Sequence, residues 1–274
     1  MSTTTAQLAV PGIGPVPVTY TDSGTGRPVL LLHGGAGPFS VAAFAALMSA
    51  ADYRVITPVH PGFDGTPRPS GLTTIAGLAA VYAALLRELD LTDVCVVGNS
   101  IGGWIAAEIA LAESAAADRR VGSVVLVDAA GLWIESAPVP DFFTLTLDQV
   151  AELSYFNPAA FRINPAALPP ERAAAMAANR AALLEYAGTA MADQGLRDRL
   201  PAVTLPTLVV WGVADRMITV EHGRAYADGI PGARLRMIEH AGHLPQLETP
   251  AELLAVVGEF TGATRPAGTG RAGS

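Results

Sequence analysis

The 274-residue chain contains no lysine, and its 17 basic side chains are all arginine. Without a side-chain amine there can be no Schiff-base catalyst, no lysine-anchored pyridoxal phosphate and no P-loop, because each needs that group. Cysteine is nearly absent as well. Cys95 alone rules out an intrachain disulfide and a multi-cysteine zinc site. Its place in the apolar run Val94-Cys95-Val96-Val97 predicts a buried structural thiol rather than a reactive one. Charged residues make up only 15% of the chain, and 17 basic against 25 acidic groups leave a net charge of −8. That balance gives no electrostatic footprint for a nucleic acid or an anionic membrane surface. No segment reaches the roughly 18 apolar residues needed to span a bilayer. The opening Met1-Ser2-Thr3-Thr4-Thr5 lacks the basic and then apolar pattern of a secretion signal. The expectation is a cytoplasmic protein that meets a small-molecule substrate, with no cofactor, no metal, no nucleic acid and no membrane partner. Self-association into a homo-oligomer is left open.

What remains is abundant apolar sequence, 50% of all residues. At this length it supports one domain, or one domain carrying an insert. Short runs rich in valine, leucine and isoleucine predict strands at Val29–Leu32, Arg54–Thr57, Val94–Val97, Val121–Val127, Thr207–Trp211 and Leu235–Ile238. Most are apolar on both faces, the mark of parallel strands covered by helices. Helical patterns alternate with them at Phe39–Ala50, Thr74–Leu89, Ile101–Glu113, Thr219–Asp228 and Pro250–Phe260. The alternation predicts an α/β protein with a mostly parallel, doubly wound sheet. Pro15 to Thr25, with alternating valines and a Gly-rich end, reads as an antiparallel strand at the start of the sheet.

Between about 132 and 200 the rhythm breaks, and helices replace strands. Thr146-Leu147-Asp148-Gln149 fits a capping box, and Pro169-Pro170-Glu171 opens an alanine-rich helix running to about Gly188. The expected organisation is a core formed by 6–131 and 201–260, a helical cap at 132–200, and disordered tails at 1–5 and 261–274.

The strongest chemical signal is Gly98-Asn99-Ser100-Ile101-Gly102-Gly103, which directly follows one predicted strand and opens a helix. A serine on such a turn adopts a strained backbone, its small neighbours make room, and its hydroxyl projects at a helix N-terminus. A serine nucleophile needs a base, and the base needs an orienting carboxylate. Of the five histidines, His243 lies in a loop after the last strand, on the same rim as Ser100. His240 adjoins the strand end and reads as a packing or capping residue, His222 as a solvated helix residue and His60 as structural. For the acid, Asp215 follows the strand Thr207–Trp211 and Asp128 ends the strand Val121–Val127, so both fall on the correct rim. The oxyanion formed by serine attack needs two N–H donors. Ile101, next after the serine, supplies one, and Gly35 in His33-Gly34-Gly35-Ala36-Gly37 the other, with His33 bracing that loop.

These motifs resemble those of the α/β-hydrolase superfamily with a helical cap, over about residues 8–260. His60-Pro61-Gly62-Phe63-Asp64-Gly65-Thr66 resembles a further loop of that family. The resemblance implies the chain order Ser100, Asp215, His243 for the triad and leaves Asp128 to support the nucleophile loop. It also narrows the chemistry. Dehalogenases and epoxide hydrolases of this fold carry aspartate at the elbow, dienelactone hydrolases carry cysteine, and proline iminopeptidases usually follow the serine with tryptophan. The closest local likeness is to carbon–carbon bond hydrolases acting on ring-fission products, which share a G-N-S-x-G-G elbow and a G-H-x-x-Q-x-E loop. Gly242, His243, Gln246 and Glu248 match that loop, while Leu244 stands where those enzymes usually carry tryptophan. The reading is a serine hydrolase of a small carboxylic ester or lactone, working through an acyl-enzyme. The alternatives are carbon–carbon cleavage of a vinylogous diketo acid, and a non-hydrolytic biosynthetic or ligand-binding use of the fold. Substrate contacts are expected from Asn99, Phe142, Phe143, Leu244 and an arginine, Arg162 or Arg180, placed to meet a substrate carboxylate. Tyr155, Phe156 and Phe161 are further candidates for the lining, and Trp104 for the wall beneath the elbow.

Overall fold

The structure is a computed structural model, and it describes residues 2–263. Among the described residues ten strands are formed: β1 (Ser2–Val10), β2 (Gly14–Ser23), β3 (Arg27–Leu32), β4 (Tyr53–Pro58), β5 (Val94–Asn99), β6 (Val121–Val127), β7 (Gly131–Leu132), β8 (Ala192–Asp193), β9 (Thr207–Gly212) and β10 (Arg234–Ile238). Eight of them make one sheet in the order β1-β2-β4-β3-β5-β6-β9-β10. β1–β2 and β2–β4 pair antiparallel, and every other pair in that sheet is parallel. The parallel strands place alternate residues in two separate cores. Leu30, Leu32, Val96, Val124, Leu126 and Val209 face one, and Val29, Leu31, Cys95, Val97, Val125, Leu208 and Val210 face the other. Strands buried on both faces need an apolar residue at every position, which is why they appear in the sequence as continuous runs.

Helices α1 (Phe39–Ala50), α2 (Ile75–Glu88) and α3 (Ile101–Ala115) follow β3, β4 and β5. α1 covers the second core, while α2 and α3 cover the first. The strand order reverses at β3: the chain runs outward from β3 to β4, then crosses back to β5 and onward to β6. The carboxyl ends of β3 and β5 therefore flank the crevice where an open α/β sheet places its ligand.

The segment after β6 leaves the sheet and returns only at β9. β7 and β8 pair in parallel at its two ends. Between and beyond them lie α4 (Leu147–Ser154), α5 (Pro158–Phe161), α6 (Pro170–Ala187) and α7 (Leu196–Arg199). The Thr146 hydroxyl accepts from Gln149 N–H while the Gln149 side chain accepts from Thr146 N–H, so the expected capping box starts α4. The chain closes with α8 (Val220–Gly229), α9 (Pro245–Glu248) and α10 (Pro250–Ala263).

Two sequence readings need correction. Residues 2–5 were expected to be disordered, but they belong to β1, whose nine positions pair with β2 from Ser2↔Asp22 to Val10↔Gly14. Thr3, Thr4 and Thr5 are exposed, so no hydrophobic pattern announced the strand; backbone pairing and the burial of Leu8 and Val10 hold it. At the other end, 261–263 continue α10, and the remainder of the expected tail, 264–274, lies outside the described residues. Among the described residues no helix is long and apolar enough to cross a membrane.

Leu30 is fully buried at the centre of this sheet. Leu30→Ala should cost about 2–5 kcal/mol through lost transfer energy and the cavity left behind. The check is a urea melt, in which the midpoint falls at unchanged m; a shift below about 1 kcal/mol would contradict the burial.

Candidate active site

Ser100 directly follows β5 and precedes α3, with φ 57° and ψ −120°, a conformation rarely adopted by a side-chain-bearing residue. Close packing enforces it. A Cβ on Gly98 would sit 2.1 Å from the Gly102 carbonyl oxygen, and one on Gly102 would sit 2.4 Å from that of Leu32. Only glycine at both positions lets the first turn of α3 approach β3 and β5 so closely. The turn is pinned to β6 by Ser100 N–H donating to Val127 O and by Ala130 N–H donating to Ser100 O, both at 3.0 Å.

His243 and Asp215 meet on the same rim. The imidazole Nδ1 lies 2.7 Å from Asp215 Oδ2. Asp215 Oδ1 accepts from the N–H groups of Met217 (2.8 Å) and Ile218 (2.9 Å), which fixes the carboxylate plane. A carboxylate only accepts, so the neutral imidazole carries its proton on Nδ1 and leaves Nε2 as a bare acceptor. The His243 peptide is clamped on both sides: its N–H donates to Ser154 O (2.6 Å) and its carbonyl accepts from Asn99 Nδ2 (2.9 Å). Ser100 and His243 line one cavity of about 320 Å³. Asp128 is also here, wholly buried, with Oδ1 accepting from Gly212 N–H at 2.9 Å.

The loop after β3 is held by two histidines. His60 N–H donates to His33 Nε2 (3.1 Å), so His33 must carry its proton on Nδ1, which lies 2.8 Å from Gly34 O. His60 Nε2 lies 2.9 Å from His33 O, so it is the protonated nitrogen, and its Nδ1 accepts from the Tyr82 hydroxyl. Burial lowers the His33 pKa to about 4 and holds His60 well below the ordinary imidazole range. Both are therefore neutral props, and their tautomers follow from their partners. They fix Gly34, Gly35 and Ala36 in the cavity wall beside Ser100. Ile101 turns its side chain into the core, so it can offer the cavity only its backbone N–H.

Other expected residues divide. Phe142, Leu244, Asn99 and Arg180 line the cavity, as do Tyr155 and Phe161, stacked with centroids 4.5 Å apart. Asn99 is nevertheless engaged: besides His243 O, its side chain reaches Val127 O and accepts from Gln246 Nε2 at 3.0 Å. Arg180 donates to the carbonyls of Phe142 and Phe143 and stacks on both rings, and Phe143 packs against that guanidinium rather than lining the cavity. Arg162 does not reach the cavity; it pairs with Glu152 and Asp148, with its side chain 51% exposed. Phe156 is exposed against His240. His222 was read as solvated but is buried where α8 packs on β9. Trp104 is buried against Gly131 beneath the elbow, and burial raises the Cys95 thiol to about 11.

Sequence reasoning missed Asn179. Its amide bridges α6 to two loops, donating to Ala36 O (3.2 Å) and accepting from Asp64 N–H (2.7 Å). A lone buried asparagine in an alanine-rich helix was the available signal. Glu248, noted only as a motif position, accepts from Phe156, Asn157 and Gly242 N–H groups and ties the cap to the His243 loop.

Comparison with known proteins agrees with this architecture. The sequence model of the alpha/beta hydrolase family matches residues 29–256, and the chain belongs to that family. It is 32% identical to a Mycobacterium tuberculosis protein named as a non-heme bromoperoxidase, over 85% of this chain and 93% of the other. It is 30% identical to the 2-hydroxy-6-oxo-2,4-heptadienoate hydrolase of Pseudomonas putida, over 91% and 94%. A thermophilic esterase from Thermogutta terrifontis superposes with a TM-score of 0.77 at 24% identity, over 96% of this chain and 100% of the other, which supports the fold.

The neutral histidine props carry a pH dependence. An unfolded imidazole takes up a proton near pH 6.5, whereas folded His33 resists until about pH 4. Stability should therefore decline as pH falls through that window. His33→Asn, lacking the titrating ring, should show a shallower decline of Tm between pH 6.5 and 4 than wild type. Parallel slopes would mean that His33 is not held neutral.

Proposed function

We propose that the protein is a serine hydrolase that cleaves a small carboxylic ester or lactone through an acyl-enzyme on Ser100. The observation that carries the reading is the line from Asp215 through His243 Nδ1 to a cavity wall that also holds Ser100. The bare Nε2 takes the Ser100 proton as Oγ attacks the ester carbonyl. The N–H groups of Gly35 and Ile101 receive the oxyanion, the second at the positive end of α3. His243 then returns the proton to the leaving alkoxide as the C–O bond breaks. Water, activated by the same base, adds to the acyl carbon and releases the acid and Ser100. Asp215 stays ionised throughout and stabilises the imidazolium.

The cavity favours an uncharged, apolar acyl group. Leu145, Val150, Phe161, Met176, Leu183 and Ile218 dominate its lining. The guanidinium of Arg180, expected to meet a substrate carboxylate, is spent on two backbone carbonyls and two aromatic rings. Carbon–carbon cleavage is the second reading. It is favoured by the Asn99–Gln246 hydrogen bond, which joins the two motifs shared with those enzymes, and by the relative from Pseudomonas putida. Leu244 and the engaged Arg180 weigh against it.

A panel of p-nitrophenyl esters, lactones and a ring-fission dienoate, each run beside Ser100→Ala, separates the two. Neutral esters or lactones should turn over well, and the anionic dienoate at least about tenfold less efficiently, since the lining is mostly apolar and the Arg180 guanidinium is already engaged. Faster dienoate turnover would select the second reading.

The triad itself predicts that Ser100→Ala loses about three or more decades of turnover with the fold intact. An organophosphonate should label wild type at Ser100 only. Asp215→Asn should lose about 10⁴ through the wrong imidazole tautomer. His243→Ala should be inactive and His240→Ala nearly unchanged. An active His243→Ala enzyme would refute the assignment.

A further inference from the structure

Asp128 directly follows β6, has a left-handed backbone conformation (φ 44°) and is completely buried. Its Oδ1 is used by Gly212 N–H, but its Oδ2 meets no hydrogen-bond donor among the described residues. An ionised carboxylate oxygen left that way in a protein interior is costly. Its surroundings make ionisation worse. Side-chain atoms of Asp128, Asp215 and His243 all lie within 4.8 Å of one another. Two adjoining buried carboxylates with no lysine or arginine between them cannot both hold a charge. Asp215 accepts two N–H groups and the imidazole, whereas Asp128 accepts one N–H. The charge therefore settles on Asp215 and the proton on Asp128.

The other titratable neighbours supply no compensating cation. Glu248 on α9 is a further acidic group, already accepting three backbone N–H groups. His222 on α8, which faces Asp215, is kept below the ordinary imidazole range by burial. Burial first, and then the Asp215 charge, hold the Asp128 carboxyl well above the usual carboxylate range.

We propose that Asp128 is a positioning residue for the triad acid: as a neutral carboxylic acid it donates the proton on Oδ2 to the Asp215 carboxylate. The proton gives the orphaned oxygen its partner and gives Asp215 a fourth donor. It also shares in the Asp215 charge, and so weakens the hold of that carboxylate on the imidazolium. The inference rests on the reading of Asp215 as the triad acid.

Thermal melts of the full chain from pH 4 to 8 test it without reference to activity. An unfolded aspartate ionises near pH 3.9, so a folded Asp128 that keeps its proton adds stability below that pH and loses the advantage as pH rises. Asp128→Asn carries a comparable donor that does not titrate. Its Tm should gain on wild type by roughly 5–10 °C across the range, and a constant difference would overturn the proposal. Kinetics give the second measurement. Asp128→Val, with no donor, should lower kcat about tenfold at unchanged KM and move the acidic limb of the pH profile upward by about 0.5 unit or more. Asp128→Asn should restore kcat to within about threefold and return the limb. Equal impairment of the two variants would reduce Asp128 to packing and sink the idea. A mistaken triad acid would show differently, as a fully active Asp215→Asn enzyme with the Asp128 melts unaffected.

Discussion

The approach of α3 to the carboxyl ends of β3 and β5 is the constraint around which the molecule is arranged. It leaves no space for a Cβ at Gly98 or Gly102, and at Gly103 a Cβ would lie 2.6 Å from that of Ala129. The cost is a strained Ser100, on the order of 1–3 kcal/mol, sustained by burial of the strands on both faces. In return the hydroxyl stands at the reversal of strand order, with the unpaired N–H groups of a helix start beside it. The two backbone bonds to β6 then bring Asp128, and through Gly212 the start of the Asp215 loop, into register with the serine. Asp215, His243 and Ser100, the proposed acid, base and nucleophile, come from three separate loops, and this packing sets their common height on the rim.

The cap is part of the same machinery rather than a cover laid over it. The last carbonyls of a helix lack intrahelical donors, and in α4 the catalytic loops supply them. Leu153 O accepts from Arg216 N–H (2.9 Å), Ser154 O from His243 N–H (2.6 Å), and the Arg216 guanidinium reaches Glu152 O and Tyr155 O. Glu248 returns the connection from the histidine loop to the cap. On the opposite side Asn179 joins α6 to the oxyanion loop. Segments that line the cavity are thus also bonded to the Asp215 and His243 loops, so on the proposed reading a substitution in 132–200 would act on kcat as readily as on KM.

The fold was legible where burial dictates sequence. Strands covered on both faces are mostly apolar, and the predicted β6 coincides with the observed one from Val121 to Val127. The elbow was legible because only glycines fit around Ser100, and the histidine because its loop follows the last strand. β1 was not, because its exposed threonines are held by main-chain pairing, which leaves no periodic trace. The cap contacts were not legible for a related reason. Whether an arginine meets solvent, a carbonyl or a ligand depends on neighbours distant in sequence, and Arg162 and Arg180 took different partners. Asn179 escaped similarly, since a buried amide acquires meaning only from the loop that folds against it, and Asp128 was legible as a rim residue but not as a neighbour of Asp215.

Charge placement carries the functional argument furthest. In a chain without lysine, the arginines around the cap are committed elsewhere: Arg162 to Glu152, Arg180 to carbonyls and rings, Arg199 to Glu108 and Asp193, and Arg216 to the end of α4. Arg172 stays at the cavity wall, its guanidinium 4.0 Å above the ring of the exposed Phe39. Besides Ser100 and His243, the lining carries the polar side chains of Asn99, Ser154, Tyr155 and Asn179. A fixed anion placed beside Ser100 would have to be desolvated, with Arg180 already engaged and Arg172 held at the wall over Phe39. An oxyanion that develops only during reaction bears no such cost in the ground state and meets donors already in place. On the proposed reading, the site suits a neutral carbonyl that becomes charged, which is the requirement of ester hydrolysis.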